Sequence, residues 1–145
     1  LERGWVRSIG VSNYGSHHLQ EMKSYARIMP AVNQIEINPW LQRPELVEAT
    51  KEVGAIPMAY SPLARGHKVS DSNLIEVASI LNCSPAQVAI KWCIDSGAIT
   101  IPKSSNRDRI EENFQSQYID LTPVKEYFQS MDENYVSGWD PTVEP

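Results

Sequence analysis

The sequence is poor in cysteine, with Cys83 and Cys93 the only two in 145 residues. Neither sits at metal-ligand spacing, so no metal is expected, and both read as small apolar core side chains in a reducing compartment. No apolar run approaches the roughly 20 residues a membrane helix requires. No secretory leader is read before the first strand-like segment, and a cytoplasmic location away from membranes is the expectation. Positive charge is in deficit: 13 Lys and Arg stand against 18 Asp and Glu, for a net charge of −5. Such a chain repels a polyphosphate backbone, which speaks against a nucleic-acid partner and makes any local cluster of basic residues better suited to one small anion. A glycine-rich phosphate turn is also missing, since "GVSNYGS" does not fit G-x-G-x-x-G. So is an initiator methionine: "LERGWVRSIGVSN" opens almost directly on a strand-like run, and the chain is read as a fragment of something longer.

What is present has the make-up of one folded domain, 41% hydrophobic and 21% charged. Strand-sized apolar runs alternate with amphipathic helix-sized segments. "WVRSIGVSN" precedes a helix expected from about His17 to Arg27, with Leu19, Met22 and Ala26 at helical spacing. "AVNQIEINP" precedes a helix opened by Pro44 and closed by Gly54, with Leu46, Ala49, Thr50 and Val53 on one face. "AIPMAYSPL" leads through a polar loop into two helical segments. The first carries Leu74, Ile75, Val77, Ala78 and Leu81; the second opens on Ser84, Pro85 and Gln87, a serine cap with a glutamine three residues on, and ends at Gly97. "AITIP" is the fourth strand, before a short helix from about Asn106 to Asn113 that Ser105 and Asp108 would cap, and Thr122 and Pro123 start a last helix.

Strand then helix, repeated, means parallel strands joined by helical crossovers, in an open doubly wound sheet or an eight-stranded barrel. The missing glycine-rich turn disfavours the open sheet. A barrel collects its polar residues where strands run into loops, and they collect there: Ser12 and Asn13, Gln34 and Glu36, Tyr60 and Ser61, Lys103 and Ser104. Each has a plain alternative. Asn13 could be a turn residue, Gln34 a satisfied core amide, Tyr60 a packed ring and Lys103 a solvated strand end. Four at equivalent positions favour a site.

"RSIGVSNY", "AVNQIEINPWLQ", "AYSPLARG", "SPAQVAIKWCIDSG" and "TIPKSSNRDRIEEN", in order and in register from Gly4 to about Met131, together resemble the aldo-keto reductase superfamily. The resemblance implies an α/β fold, a parallel (β/α)8 TIM barrel, of which residues 1–145 supply the carboxyl-terminal half, about strands five to eight. It implies an extended nicotinamide cofactor across the strand ends, NADPH or NADP rather than NADH. Ser12, Asn13 and Gln34 match positions that hydrogen-bond the nicotinamide carboxamide, a group whose donor and acceptor such side chains can satisfy. Tyr60 matches the aromatic that stacks on the nicotinamide ring. Ser61 and Leu63 match the stretch along the pyrophosphate, with Arg65 standing where a small or neutral residue is expected. Lys103, Ser104 and Arg109 match the surround of the 2′-phosphate, and Glu112 and Asn113 the residues contacting adenine.

The basic cluster supports a phosphate independently of the family, because two cations, a hydroxyl and a helix amino terminus converging on one point suit a compact dianion. Arg107 falls on the other side of that short helix, as solvated surface. The family's general-acid tyrosine and its supporting lysine, aspartate and histidine belong to the first half of the barrel, so no catalytic residue is assigned here. His17 and His18 read as surface, and Tyr14, Tyr25, Tyr118, Tyr127 and Tyr135 match no motif. Three readings stay open: the cofactor-binding half of a reductase of small aldehydes or ketones, a non-catalytic cofactor-binding regulatory module, or a truncated product without function. Trp40 and Trp139 would line an apolar substrate pocket or pack at its rim. The expected partners are a carbonyl substrate and the missing amino-terminal half of the barrel, with self-association when that half is absent.

Overall fold

The computed structural model describes residues 1–145. Its centre is β2, Val32–Glu36, where alternation sends Asn33 and Ile35 to a buried face and leaves Val32 and Gln34 half-buried on the other. The strand β1, Gly10–Ser12, lies on one side of it and β3, Ile56–Tyr60, on the other; β4, Ile99–Thr100, follows β3. All pairings are parallel, and they set Ser12 opposite Gln34, Glu36 opposite Tyr60, and Ala59 opposite Thr100. Spatial order equals chain order. The order never reverses, as it does at the ligand crevice of a doubly wound sheet.

The helices are α1 Ser16–Met22, α2 Pro44–Glu52, α3 Ser72–Ile80, α4 Pro85–Asp95 and α5 Arg107–Gln115. Pro44 opens α2 as expected, and α4 carries the reciprocal cap: the Gln87 amide donates to Ser84 Oγ while Ser84 N donates to Gln87 Oε1. Four local expectations are corrected. The first helix stops at Met22 rather than running to Arg27, and the Ser24 hydroxyl donates to the Glu21 carbonyl at 2.7 Å, competing with the helical ladder. Asn106, not Ser105, caps α5; its extended backbone places Arg109 at the third helical position, where Arg109 N donates to Asn106 Oδ1 at 3.0 Å. The strand expected over residues 98–102 pairs only at Ile99–Thr100, being an edge strand that ends near Pro102. Thr122–Ser130 is wound as 3₁₀ turns, which put Leu121 and Val124, three apart, on the buried side.

Two apolar clusters hold these elements. Leu19, Ile35, Ile37, Ala59 and Cys93 lie between the sheet and the helices, and Trp40, Leu74, Val77, Val88 and Phe128 join α3 and α4 to the 3₁₀ segment. Fully burying one such aliphatic side chain contributes about 1.5–3 kcal/mol. Asn33 is buried inside the first cluster with its amide satisfied: it donates to the Tyr14 carbonyl and to Thr50 Oγ1 and accepts from Tyr14 N. That one side chain fastens the turn after β1 to β2 and α2.

The opposite face of the sheet is uncovered. Ile56 and Ile99 are 49% and 41% exposed there, and Val32, Gln34 and Met58 are half-buried. Parallel sheets are ordinarily buried on both faces, and both edges here are unpaired. The isolated chain is therefore expected to self-associate or to stay loosely packed. Light scattering together with amide exchange checks this, and a monodisperse monomer with slow exchange in all four strands would contradict it. No helix is long and apolar enough to cross a membrane.

Candidate functional site

The carboxyl ends of the four strands carry the residues singled out above. Ser12 closes β1 and its hydroxyl donates to the Gln34 carbonyl at 3.0 Å; Asn13, just beyond, donates its backbone N–H to the same oxygen at 2.8 Å. Asn13 is held in the left-handed region at φ 61°, and its side-chain oxygen is buried without a hydrogen-bond partner. The Gln34 amide reaches only the Met58 sulfur, at 3.4 Å, and a thioether is a weak acceptor. The ends of β1 and β2 are thus tied through the Gln34 carbonyl, with the Asn13 oxygen and the Gln34 amide left with bonding capacity to spare.

Tyr60 ends β3, half-buried and opposite Glu36. Burial pushes its hydroxyl above the ordinary tyrosine range, with the Glu36 carboxylate adding to the rise and the Arg43 cation opposing it. The chain then turns sharply. Ser61, Ala64 and Arg65 all have positive φ, and the Ser61 carbonyl accepts from Ala64 N at 2.8 Å. Ser61, Leu63 and Arg65 form one wall of a cleft of about 440 Å³ whose other wall is Ile101, Pro102 and Lys103.

Beyond that wall, Lys103 is exposed, while the Ser104 hydroxyl is engaged with the backbone of Asn106, accepting from its N–H at 3.1 Å. Arg109 is exposed on the first turn of α5 and forms no ion pair with Glu112. The Glu112 carbonyl accepts from Gln87 Nε2 at 3.2 Å, which fixes α5 to α4. Asn113 lines a different hollow, of about 400 Å³, with Thr100, Pro102 and Ile110. The predicted residues therefore fall into a group at the ends of β1 and β2, a cleft between the ends of β3 and β4, and the start of α5. They do not share one enclosed pocket.

Sequence reasoning missed the residues that surround Tyr60 from the carboxyl-terminal tail. Glu36 is only 2% exposed and both its carboxylate oxygens accept from Ser137 N. Arg43 donates from Nε to the Glu36 carbonyl, from Nη1 to Thr142 Oγ1 at 2.9 Å and from Nη2 to Asp140 Oδ1 at 2.9 Å. Burial alone would raise the Asp140 carboxyl, but hydrogen bonds from Thr142 and Arg43 outweigh it and hold the group below the usual carboxylate range. A Cβ at Gly15 would collide with the Thr142 carbonyl, so the tail also presses on the start of α1. The only local signal for this grip was an arginine just before the helix-opening Pro44.

Two further expectations change, those for Trp40 and His18. Trp40 is fully buried in the core and donates from Nε1 to Asp71 Oδ2 at 3.3 Å, so it lines no substrate pocket, and Trp139 stands 70% exposed at the tail. His18 is half-buried rather than plain surface, accepting from Gly15 N at 2.9 Å at the start of α1. His17 is exposed, within hydrogen-bond reach of the Glu144 carbonyl at 2.9 Å.

The chain is similar to known proteins along nearly its whole length. It is 40% identical to an uncharacterized oxidoreductase of Schizosaccharomyces pombe over 149 residues, covering 100% of this chain and 54% of that protein. It is 43% identical to the 9,11-endoperoxide prostaglandin H2 reductase of Trypanosoma cruzi over 131 residues, 88% of this chain and 46% of that one. The crystal structure of a Bombyx mori aldo-keto reductase in complex with NADP superposes with a TM-score of 0.82 at 33% identity, over 94% of this chain and 48% of that chain. The four-stranded parallel sheet with its helices matches half of the (β/α)8 barrel of these reductases. This chain spans about half the length of the curated relatives it matches. Residues 1–135 match the model of the aldo/keto reductase family, and the chain belongs to that family.

Proposed function

We propose that residues 1–145 form the cofactor-holding, carboxyl-terminal half of an NADPH-dependent cytoplasmic reductase that converts small aldehydes or ketones to alcohols. The observation that carries this reading is the buried, unpartnered Asn13 oxygen at the end of β1, on a residue whose backbone N–H donates to the Gln34 carbonyl of the neighbouring strand. A buried acceptor left unpaired costs about 1–3 kcal/mol. The amide N–H of a nicotinamide carboxamide would satisfy it, and the Gln34 N–H could serve the carboxamide oxygen. When bound, the cofactor would supply a hydride to a carbonyl carbon. Ser12, Asn13 and Gln34 would fix the orientation of its ring, Tyr60 would back one ring face, and Ser61 and Leu63 would follow its pyrophosphate. Lys103, Ser104 and Arg109 would surround the 2′-phosphate, with the backbone amides at the start of α5 assisting, and Glu112 and Asn113 would contact adenine. Ser104 would have to share or exchange its bond to Asn106 to take part. No side chain of this chain is assigned to deliver the proton to the carbonyl oxygen; that role falls to the complementary half of the barrel.

The full-length gene product is accordingly expected to oxidise NADPH in the presence of a small aldehyde, and the 145-residue chain alone is not. Activity of the isolated chain, or none in the full-length product with any of a panel of aldehydes and ketones, would contradict this. Within the full-length product, Tyr60→Ala should weaken cofactor binding and slow hydride transfer, whereas Tyr60→Phe, which keeps the ring, should be mild. An offset ring pair contributes about 0.5–1.5 kcal/mol beyond burial, which corresponds to a loss of up to about tenfold. Equal damage from both substitutions would assign the role to the hydroxyl instead.

A further inference from the structure

Arg65 is the cation the family resemblance does not account for. It sits in the tight turn after β3 at φ 54°, exposed, and shares the cleft with Lys103. Its side chain makes no ion pair. What holds it is the tail. A Cβ built on Gly138 would lie 3.2 Å from Cζ and from both terminal nitrogens of Arg65, so the guanidinium lies against the Gly138 backbone and would have to shift for any larger residue there. Gly138 is flanked on one side by Ser137, bonded to Glu36, and two residues on by Asp140, gripped by Arg43. Two further ties bind the tail to the same turn: Lys68 pairs with Glu133, and the His67 ring lies 3.0 Å from the Tyr135 hydroxyl.

We propose that the tail is a strap for the cleft: by gripping Asp140 and Thr142, Arg43 holds Gly138 against the Arg65 guanidinium and so positions that cation as an anion contact beside Ser61 and Leu63. The inference rests on reading the cleft as part of the cofactor site. Arg43 is then a positioning residue acting through Arg65. Its effect is to order a long side chain before the anion arrives, which removes part of the entropic cost of binding. Because Arg65 stands on the wall of the cleft formed with Ser61 and Leu63, the stretch assigned to the pyrophosphate, the anionic group concerned is one that NADPH and NADH share.

The test is a titration of NADPH and of NADH against the full-length gene product by fluorescence, in wild type, Arg65→Met, Arg43→Met, the double variant and Gly138→Val. Arg65→Met should weaken both cofactors on the order of tenfold, as expected for a hydrogen bond to a charged group. Arg43→Met should approach the same loss, and the double variant should bind no worse than Arg65→Met, since Arg43 acts through it. Gly138→Val, which displaces the guanidinium and leaves the Arg43 grip intact, should reproduce Arg65→Met without depending on the fold of the Arg43 variant. Additive losses in the double variant, unchanged affinity in Arg43→Met, or a loss confined to NADPH would each overturn the inference while leaving the cofactor reading in place. Absence of binding in wild type would overturn the reading of the cleft and the strap with it.

Discussion

Replacing Arg109 by Met in the full-length gene product is expected to weaken NADPH by about 10- to 100-fold while leaving NADH nearly untouched, because only NADPH carries the 2′-phosphate. A hydrogen bond involving charged groups contributes about 1.5–3 kcal/mol, and each 1.4 kcal/mol is roughly tenfold in affinity. The Arg109 side chain stands free on the first turn of α5, exposed and in no ion pair, while its backbone N–H donates to the capping Asn106 side chain. Added salt should narrow the difference between the two cofactors, since charges at this surface are screened. The competing view is that Arg109 merely supports its helix through Glu112. A contact at that spacing contributes only about 0.2–0.5 kcal/mol, and it is not formed. Parallel titrations of NADPH and NADH against wild type and Arg109→Met separate the two. A parallel change for both cofactors, or no change for either, would remove the phosphate from this site.

Trp40→Ala is expected to act on stability, not on substrate. The ring is fully buried between α3, α4 and the 3₁₀ segment, and its indole N–H donates to Asp71, the residue that caps α3. Its carbonyl accepts from both Glu133 N and Tyr135 N, so the same residue anchors the start of the tail. Truncating a buried tryptophan costs about 3–5 kcal/mol, a large share of the roughly 5–15 kcal/mol that holds a typical protein folded. Trp40→Phe should cost less, because most of the volume stays filled. Urea denaturation of the full-length gene product checks both variants. An unchanged midpoint for Trp40→Ala, coupled with an altered KM for the carbonyl substrate, would restore the pocket role that burial now excludes.

These two residues mark how far the sequence could be read. The elements bounded by local chemistry were legible: Pro44 and Gly54 around α2, and Ser84 and Gln87 at the start of α4, act within a few residues of themselves. The polar residues at the strand ends were legible for a related reason, since a polar side chain ending an apolar run stands out from its neighbours. The arrangement around Tyr60 was not legible. Glu36 reaches Ser137 across 101 residues and Arg43 reaches Thr142 across 99, and no periodicity or cap announces contacts of that separation. Trp40 failed for the opposite reason: a large aromatic after a strand fits a pocket wall and a core equally well until its neighbours are known. At α5 the Ser105–Asp108 spacing pointed to the wrong cap, because the extended backbone that a cap requires falls one residue later, at Asn106.

The reading of this chain as the cofactor-holding half of a reductase barrel is tested most directly by amide hydrogen exchange of the full-length gene product with and without NADPH. The expected result is protection appearing together in three separated segments: Ser12–Tyr14 at the end of β1, Tyr60–Gly66 after β3, and Lys103–Asn113 through the start of α5. Exchange unchanged in these segments while NADPH is bound, or protection confined to residues outside them, would contradict it.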